Sequence, residues 1–129
     1  MERLCFAEAW PERALEDVLA NPAVGAWVLE GPEARALAYL MFREAASEAE
    51  ILRIGALPAH RRQGHALRVL RVFLAWCGQR GIRQVFLEVR EDNQPARRLY
   101  ERLKFELTSR REGYYTRPPG NALVYRWSG

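Results

Sequence analysis

The residues best suited to chemistry form a loop at positions 61 to 66, Arg-Arg-Gln-Gly-His-Ala. An aliphatic run at 50 to 57 precedes this loop and indicates a strand, ended by a proline. Apolar residues at three- and four-residue spacing follow it and predict a helix from Ala66 to about residue 79, stopped by Gly81. A helix start leaves about four backbone N–H groups unpaired and carries about half a positive charge. The loop, with its two arginines, is therefore predicted to bind an anion, and a pyrophosphate would suit it.

A second set of reactive side chains follows on the next strand and helix. Residues Gln84 to Arg90 alternate in character, which predicts a strand with Glu88 on the face opposite to its valines. Asn93 is the predicted cap of a helix that runs to about Leu103. Tyr100 lies seven residues after Asn93, or about two helical turns, so both side chains project from one side of the helix toward a common ligand.

These groups must be positioned by a mixed α/β architecture. A helix is predicted to begin at Trp10-Pro11, and late strands are expected to close the sheet. The order is helix, two strands, strand, loop, helix, strand, helix and two strands, which predicts a mixed sheet with helices on its faces. The remaining predicted strands are at 26–30, 35–43, 105–111 and 122–127. Turns are predicted at Gly31-Pro32 and 117–121, and an acidic loop at 44–50.

Composition favours a single globular domain over residues 1–129. Hydrophobic residues make up 49% of the chain and charged residues 28%, which argues against disorder. No apolar run reaches the roughly 20 residues of a membrane span, and no signal-peptide core is evident, so we expect a cytoplasmic protein without a membrane partner. The net charge is +4 and all but one of the 20 basic residues are arginines. This bias suits anionic ligands, and genomic composition or heat adaptation would explain it equally well.

The cysteines and histidines do not indicate a metal site. Cys77 falls on the apolar face of the helix predicted from Ala66 to about residue 79. Neither it nor Cys5 has another metal-ligating residue nearby, so a buried thiol is expected. His60 and His65 have no third ligand close in sequence. We therefore predict no metal.

The motifs resemble those of the GNAT family of N-acetyltransferases. Residues 61 to 66 fit its loop of Arg or Gln, two variable residues, Gly, a variable residue, and Gly or Ala. The downstream stretch F-L-E-V-R-E-D-N-Q-P-A-R-R-L-Y-E-R-L-K-F is similar to its second signature, and R-R-E-G-Y-Y resembles the ribosomal-protein-alanine N-acetyltransferase subfamily. The resemblance covers residues 48 to 127, whereas residues 1 to 47 match poorly.

The resemblance implies a fold, a co-substrate and a set of roles. The implied fold is a central, mostly antiparallel sheet with helices on both faces, and the implied co-substrate is acetyl-CoA. Glu88 matches the general base and Tyr100 the general acid. Ile54, Gly55 and Ala56 match the strand segment whose backbone pairs with pantetheine. Asn93 matches a side chain that contacts CoA. The pyrophosphate loop corresponds to Arg61, Arg62, Gln63, Gly64, His65, Ala66 and Leu67.

The expected acceptor is a protein N-terminal amine, with alanine of a small-subunit ribosomal protein foremost. Deprotonating lysine at neutral pH costs about 3 kcal/mol more than deprotonating an α-amine, which suits a single carboxylate base to the α-amine. A small amine, a polyamine or an internal lysine is the alternative, and a non-catalytic acyl-CoA-binding module is a third. Tyr114 and Tyr115 either line the acceptor channel or pack in a late strand. We expect no direct nucleic-acid binding, and a monomer or weak homodimer.

Overall fold

The computed structural model describes residues 3–6, 24–30, 36–56 and 64–129. The helix predicted near Trp10 and the turn predicted at Gly31-Pro32 lie outside these residues. The described elements are, in chain order, β1 (Arg3–Phe6), β2 (Val24–Glu30), β3 (Ala36–Ala45), β4 (Glu48–Ala56), α1 (His65–Arg80), β5 (Gln84–Arg90), α2 (Gln94–Arg102), β6 (Glu106–Thr116) and β7 (Pro119–Ser128).

The strands form one mixed sheet in the order β1-β2-β3-β4-β5-β7-β6. Neighbouring strands pair antiparallel except for β4 and β5, which are parallel and are joined through α1. The predicted fold class is therefore confirmed. The predicted alternation in β5 is confirmed as well, since Val85, Leu87 and Val89 are buried and Glu88 is exposed.

The prediction of an acidic loop at 44–50 was wrong. Strand β3 continues to Ala45 and β4 begins at Glu48, so only a two-residue turn separates them. Small residues separate the glutamates there, and one glutamate pairs across the hairpin, where Arg43 Nη2 lies 3.1 Å from Glu50 Oε1. A cross-strand ion pair thus replaces the solvated loop that the charges suggested.

The closing strands are longer than predicted. Strand β6 reaches Thr116 and β7 begins at Pro119, so the turn predicted at 117–121 shrinks to residues 117 and 118. Proline tolerates the first position of a strand, where no ladder hydrogen bond needs its missing N–H group. Ten of the eleven β6 residues are exposed, which removes the apolar alternation by which a strand is recognised.

The main core lies between one face of the sheet and the two described helices. Leu70, Phe73 and Leu74 of α1 are buried there, as predicted. Cys77 is fully buried beside them, and burial, followed by the charge of Glu44, raises the pKa of its thiol to about 12. The left-handed Gly81, with φ of 85°, ends α1 as the sequence predicted.

Candidate active site

The candidate site begins where β4 and β5 separate. Their parallel pairing runs from Glu48 and Gln84 to Ile51 and Leu87, yet β4 continues to Ala56. On its other edge β4 stays paired with β3 as far as the end of the strand. In the described part of the chain, β4 beyond Ile51 therefore has a strand neighbour on one edge only. Alternate backbone groups of that segment face the gap and are available to an extended ligand.

A pocket of about 850 Å³ opens at this gap. Its size is that of sites which hold a large organic cofactor. The end of β4, the start of α1 and one side of α2 form its walls. The lining residues are Tyr39, Ile54, Gly55, Gly64, His65, Ala66, Leu67, Asn93, Pro95, Ala96, Arg98, Leu99, Tyr100 and Arg102.

Most of the predicted cofactor residues thus meet in one place. Seven of them line the pocket together with Tyr100. Ala56 is the last residue of β4, and its side chain is not described. Arg61, Arg62 and Gln63 lie outside the described residues.

The wall formed by α1 is a helix start suited to an anion. Gly64, with φ of 76°, precedes the helix, and its carbonyl accepts from the Arg68 N–H at 3.1 Å. No side chain caps this end and the first turn holds no acidic residue among the positions described. The N–H groups of the first turn and the positive end of the helix dipole therefore border the pocket.

Asn93 serves two purposes at the start of α2. Its Oδ1 accepts a hydrogen bond from the Ala96 N–H at 3.2 Å, which confirms it as the helix cap. Pro95 occupies the first turn, as predicted. Because the cap uses only the carbonyl oxygen, the side-chain N–H₂ group remains a donor at the pocket wall.

Tyr100 is the buried phenol of the pocket. Its side chain is 5% exposed, and its ring centroid lies 5.8 Å from that of Phe105 and 6.1 Å from that of Tyr125. Burial raises the pKa of its hydroxyl to about 12. The group therefore keeps its proton at neutral pH and can act only as a donor toward a negatively charged ligand atom.

The gap connects the two faces of the sheet. The side chains of Leu40 and Ile54 lie on the face of the sheet that packs against the two described helices, which is called the helix side. Side chains alternate along a strand, so the neighbouring pair Tyr39 and Gly55 faces the opposite side. A Cβ on Gly55 would lie 3.1 Å from the Tyr39 hydroxyl oxygen, which shows how closely these residues approach. Since Tyr39 and Tyr100 line the same pocket from opposite faces, the pocket extends through the gap.

Glu88 is not among the residues that line the pocket. It lies on the same face of the sheet as Tyr39, because its neighbours in β5 point into the helix-side core. Its Oε1 is 3.3 Å from Arg111 Nη1 of β6. The Glu88 side chain is 33% exposed, which leaves its carboxylate open to an incoming group.

Two tyrosines lie near the ion pair of Glu88 and Arg111. The rings of Tyr114 and Tyr115 meet edge to face with centroids 5.1 Å apart. Burial, and then the charge of Glu88, raises the pKa of Tyr115, whose ring lies 4.1 Å beneath the Arg90 guanidinium. Tyr114 is 48% exposed. Tyr115 therefore packs in the late strand, while Tyr114 offers an open aromatic surface beside Arg111, the ion-pair partner of Glu88.

An ion-pair network fixes the loop that leads into α2. Glu91 Oε2 accepts from Arg110 Nε at 2.6 Å, and Oε1 accepts from Asn121 Nδ2 at 3.1 Å. These contacts lower the pKa of Glu91 to about 2, with Arg110 as the main cause. The backbone carbonyl of Glu91 also accepts from Arg97 at 3.0 Å. Glu91 lies two residues before Asn93, so these contacts with β6, β7 and α2 also hold Asn93 in place.

Arg98 and Arg102 line the pocket and were not among the predicted site residues. They lie four residues apart on α2, on the side that also carries Pro95 and Leu99. This three- and four-residue spacing is the signal that could have found them, since such residues share one helix face. Within the described residues, we find no group of side chains that could hold a metal ion and no helix long and apolar enough to cross a membrane.

A sequence model of the acetyltransferase (GNAT) family matches residues 1–105. The match extends over residues 1–47, where the motifs alone predicted only a poor fit. Among curated relatives, the ribosomal protein bS18-alanine N-acetyltransferase of Haemophilus ducreyi is 31% identical over 91 residues, which cover 68% of this chain and 63% of the relative. The chain therefore spans less than two thirds of that relative's length.

Two solved structures share the fold. The ribosomal-protein-S18-alanine N-acetyltransferase from Escherichia coli matches with a TM-score of 0.89 at 22% identity, over 99% of this chain and 94% of that one. A GNAT family acetyltransferase from Elizabethkingia anophelis with acetyl-CoA bound matches with a TM-score of 0.84 at 10% identity, over 99% and 98% of the two chains.

Proposed function

The chain belongs to the acetyltransferase (GNAT) family, and we propose that it transfers an acetyl group from acetyl-CoA to the N-terminal amine of a protein. The observation that carries this proposal is the pocket through the gap between β4 and β5. The pocket offers three parts of acetyl-CoA a place to bind. The strand edge suits the extended pantetheine arm, the uncapped helix start suits the pyrophosphate, and the buried phenol suits the departing sulfur.

The acceptor that we propose is the N-terminal alanine of a small-subunit ribosomal protein. The support is the name of the Haemophilus ducreyi relative, an N-acetyltransferase that acts on alanine of ribosomal protein bS18. The chemistry agrees, because an α-amine with a pKa of about 8 is far easier to deprotonate at neutral pH than a lysine amine. One exposed carboxylate is then a sufficient base.

In this mechanism Glu88 takes the proton that the amine must lose. Its carboxylate receives that proton directly or through one water, and Arg111 keeps the carboxylate in place by the ion pair at 3.3 Å. The neutral amine nitrogen then bonds to the acetyl carbon, and the carbon–sulfur bond breaks. The products are an amide and a thiolate.

Tyr100 stabilises the departing sulfur in this mechanism by donating a hydrogen bond. A thiol has a pKa of about 8.5, whereas burial raises the pKa of Tyr100 to about 12. Complete transfer of the phenol proton to the thiolate is therefore uphill. The structure thus favours hydrogen bonding during bond cleavage, with the final proton on the thiol supplied by the amine by way of solvent or Glu88.

A Glu88→Gln variant tests the proposed base. Glutamine keeps the size of the side chain but cannot accept the amine proton, so we expect turnover to fall by about 100-fold. The loss should be greatest at low pH, where most of the amine is protonated. Rates of wild type and variant that stay equal across pH would remove Glu88 from the mechanism.

A peptide panel tests the proposed acceptor. Peptides that begin with alanine are compared with the same peptides carrying a blocked N-terminus and an internal lysine, and with a polyamine, and acetylation is read by mass spectrometry. We expect acetylation of the free N-terminal alanine alone. Acetylation of the blocked peptide or the polyamine would favour the alternative acceptors, and binding of acetyl-CoA with no acetylated product would favour a non-catalytic module.

A further inference from the structure

Two cations at the pocket border have no carboxylate partner within the part of the chain that the structure describes. Arg98 and Arg102 both line the pocket and both are exposed. No carboxylate among the described residues lies within ion-pair distance of either one, whereas Arg110 and Arg111 are paired with Glu91 and Glu88. The α2 wall therefore presents two full positive charges to whatever occupies the pocket.

These charges lie on a different wall from the helix start. The N–H groups of α1 after Gly64 already provide a site for one phosphate-containing group. Arg98 and Arg102 are one helical turn apart, so their guanidinium groups can converge on a second anionic group. Arginine binds phosphate oxygens with two parallel N–H donors, and two such side chains suit a monoester phosphate.

Coenzyme A carries one phosphate besides its pyrophosphate, the monoester on the ribose 3′-oxygen. A phosphate monoester with a second pKa of about 6 bears almost two negative charges at neutral pH. We propose that Arg98 and Arg102 bind this 3′-phosphate and make the protein select CoA over donors that lack it. The inference rests on the proposed function, since it takes CoA as the ligand of the pocket.

Calorimetric titration with CoA and with 3′-dephospho-CoA tests the assignment without any acceptor. At low ionic strength we expect wild type to bind CoA about tenfold or more tightly than 3′-dephospho-CoA. The Arg98→Met/Arg102→Met variant should bind both ligands alike, with the affinity that wild type has for 3′-dephospho-CoA. The wild-type preference should also shrink as salt is added, because exposed charges are screened.

A matched control removes the same net charge elsewhere. Arg71 and Arg83 are exposed and do not line the pocket, so the Arg71→Met/Arg83→Met variant tests the effect of overall charge alone. It should keep the wild-type preference for CoA.

The proposal is overturned if wild type binds both ligands equally, or if the Arg98→Met/Arg102→Met variant keeps the preference. In either case CoA still binds, so the proposed acetyltransferase function is unaffected. If wild type binds neither ligand, the proposed function fails, and this inference fails with it.

Discussion

Replacing Tyr100 by phenylalanine should lower the catalytic rate and leave the stability of the fold nearly unchanged. The substitution removes one hydroxyl group and leaves the ring between Phe105 and Tyr125, at centroid distances of 5.8 Å and 6.1 Å. Because the packed ring is unchanged, we expect the free energy of unfolding to fall by less than about 1 kcal/mol.

The expected loss of activity follows from the role of the hydroxyl. A hydrogen bond to a developing charge contributes about 1.5 to 3 kcal/mol, which corresponds to a kcat about 10- to 100-fold lower. The affinity for CoA should change little, because the sulfur gains its charge only as the bond breaks. Since the pKa of Tyr100 is raised to about 12, its deprotonation should produce no loss of wild-type rate below about pH 10.

Release of the CoA thiol, followed with a chromogenic thiol reagent and a peptide that begins with alanine, measures kcat. Tyr125→Phe is the matched control, because this buried tyrosine donates to Glu101 at 2.7 Å and accepts from Arg97 at 3.3 Å. It does not line the pocket. We expect it to lower the free energy of unfolding by about 1 to 2 kcal/mol and to leave kcat within about twofold.

A Tyr100→Phe variant that keeps more than about half of the wild-type kcat would show that the hydroxyl does not assist bond cleavage. Loss of stability and activity together would show instead that the tyrosine is purely structural. Equal effects of the two substitutions on kcat would show that the hydroxyl of Tyr100 has no special part in the reaction.

Three further predictions concern pH, shape and reactivity. Contacts in the folded protein, chiefly with Arg110, lower the pKa of Glu91 from 4.5 to about 2, so its contribution to stability is full above about pH 4.5 and is lost as pH falls toward 2. Denaturant unfolding of Glu91→Gln should therefore show a deficit at neutral pH that narrows over this range. Gly55→Val places carbon atoms against Tyr39, where even a Cβ would lie 3.1 Å from the hydroxyl oxygen, so calorimetry should show CoA affinity reduced by about tenfold with the fold retained. Cys77, buried and with a pKa of about 12, should be alkylated at about pH 8 only as fast as the protein unfolds, which mass spectrometry after iodoacetamide treatment can measure.

Local signals in the sequence predicted much of this fold. The alternation of Val85, Leu87 and Val89 predicted β5, because a strand with one buried face must alternate. The cap at Asn93 and the stop at Gly81 were predicted because their chemistry depends only on neighbouring residues. Strand β6 could be predicted only in part, because its residues are exposed and leave no pattern.

The site was harder to predict where it depends on distant parts of the chain. The ion pair between Glu88 and Arg111 requires the register of β5, β7 and β6, which no local pattern contains. The separation of β4 from β5 beyond Ile51 is likewise a property of the assembled sheet. Arg98 and Arg102 were not predicted, because charged residues on a helix are ordinarily solvated. Their spacing indicates a shared helix face, and the position of α2 turns that face toward the pocket.

The exposed edge strand β6 affects whether copies of this protein aggregate in solution. Among the described strands it ends the sheet and is paired on one side only, with β7, so its outer backbone groups could pair with a strand of another molecule. Two register shifts, at Leu107/Ser109 and Arg111/Tyr115, interrupt its regular ladder. The charged run from Arg110 to Glu112 separates the exposed Leu107 from the tyrosines. These irregularities and charges disfavour pairing of this edge with another molecule, while Tyr114 beyond the charged run stays exposed.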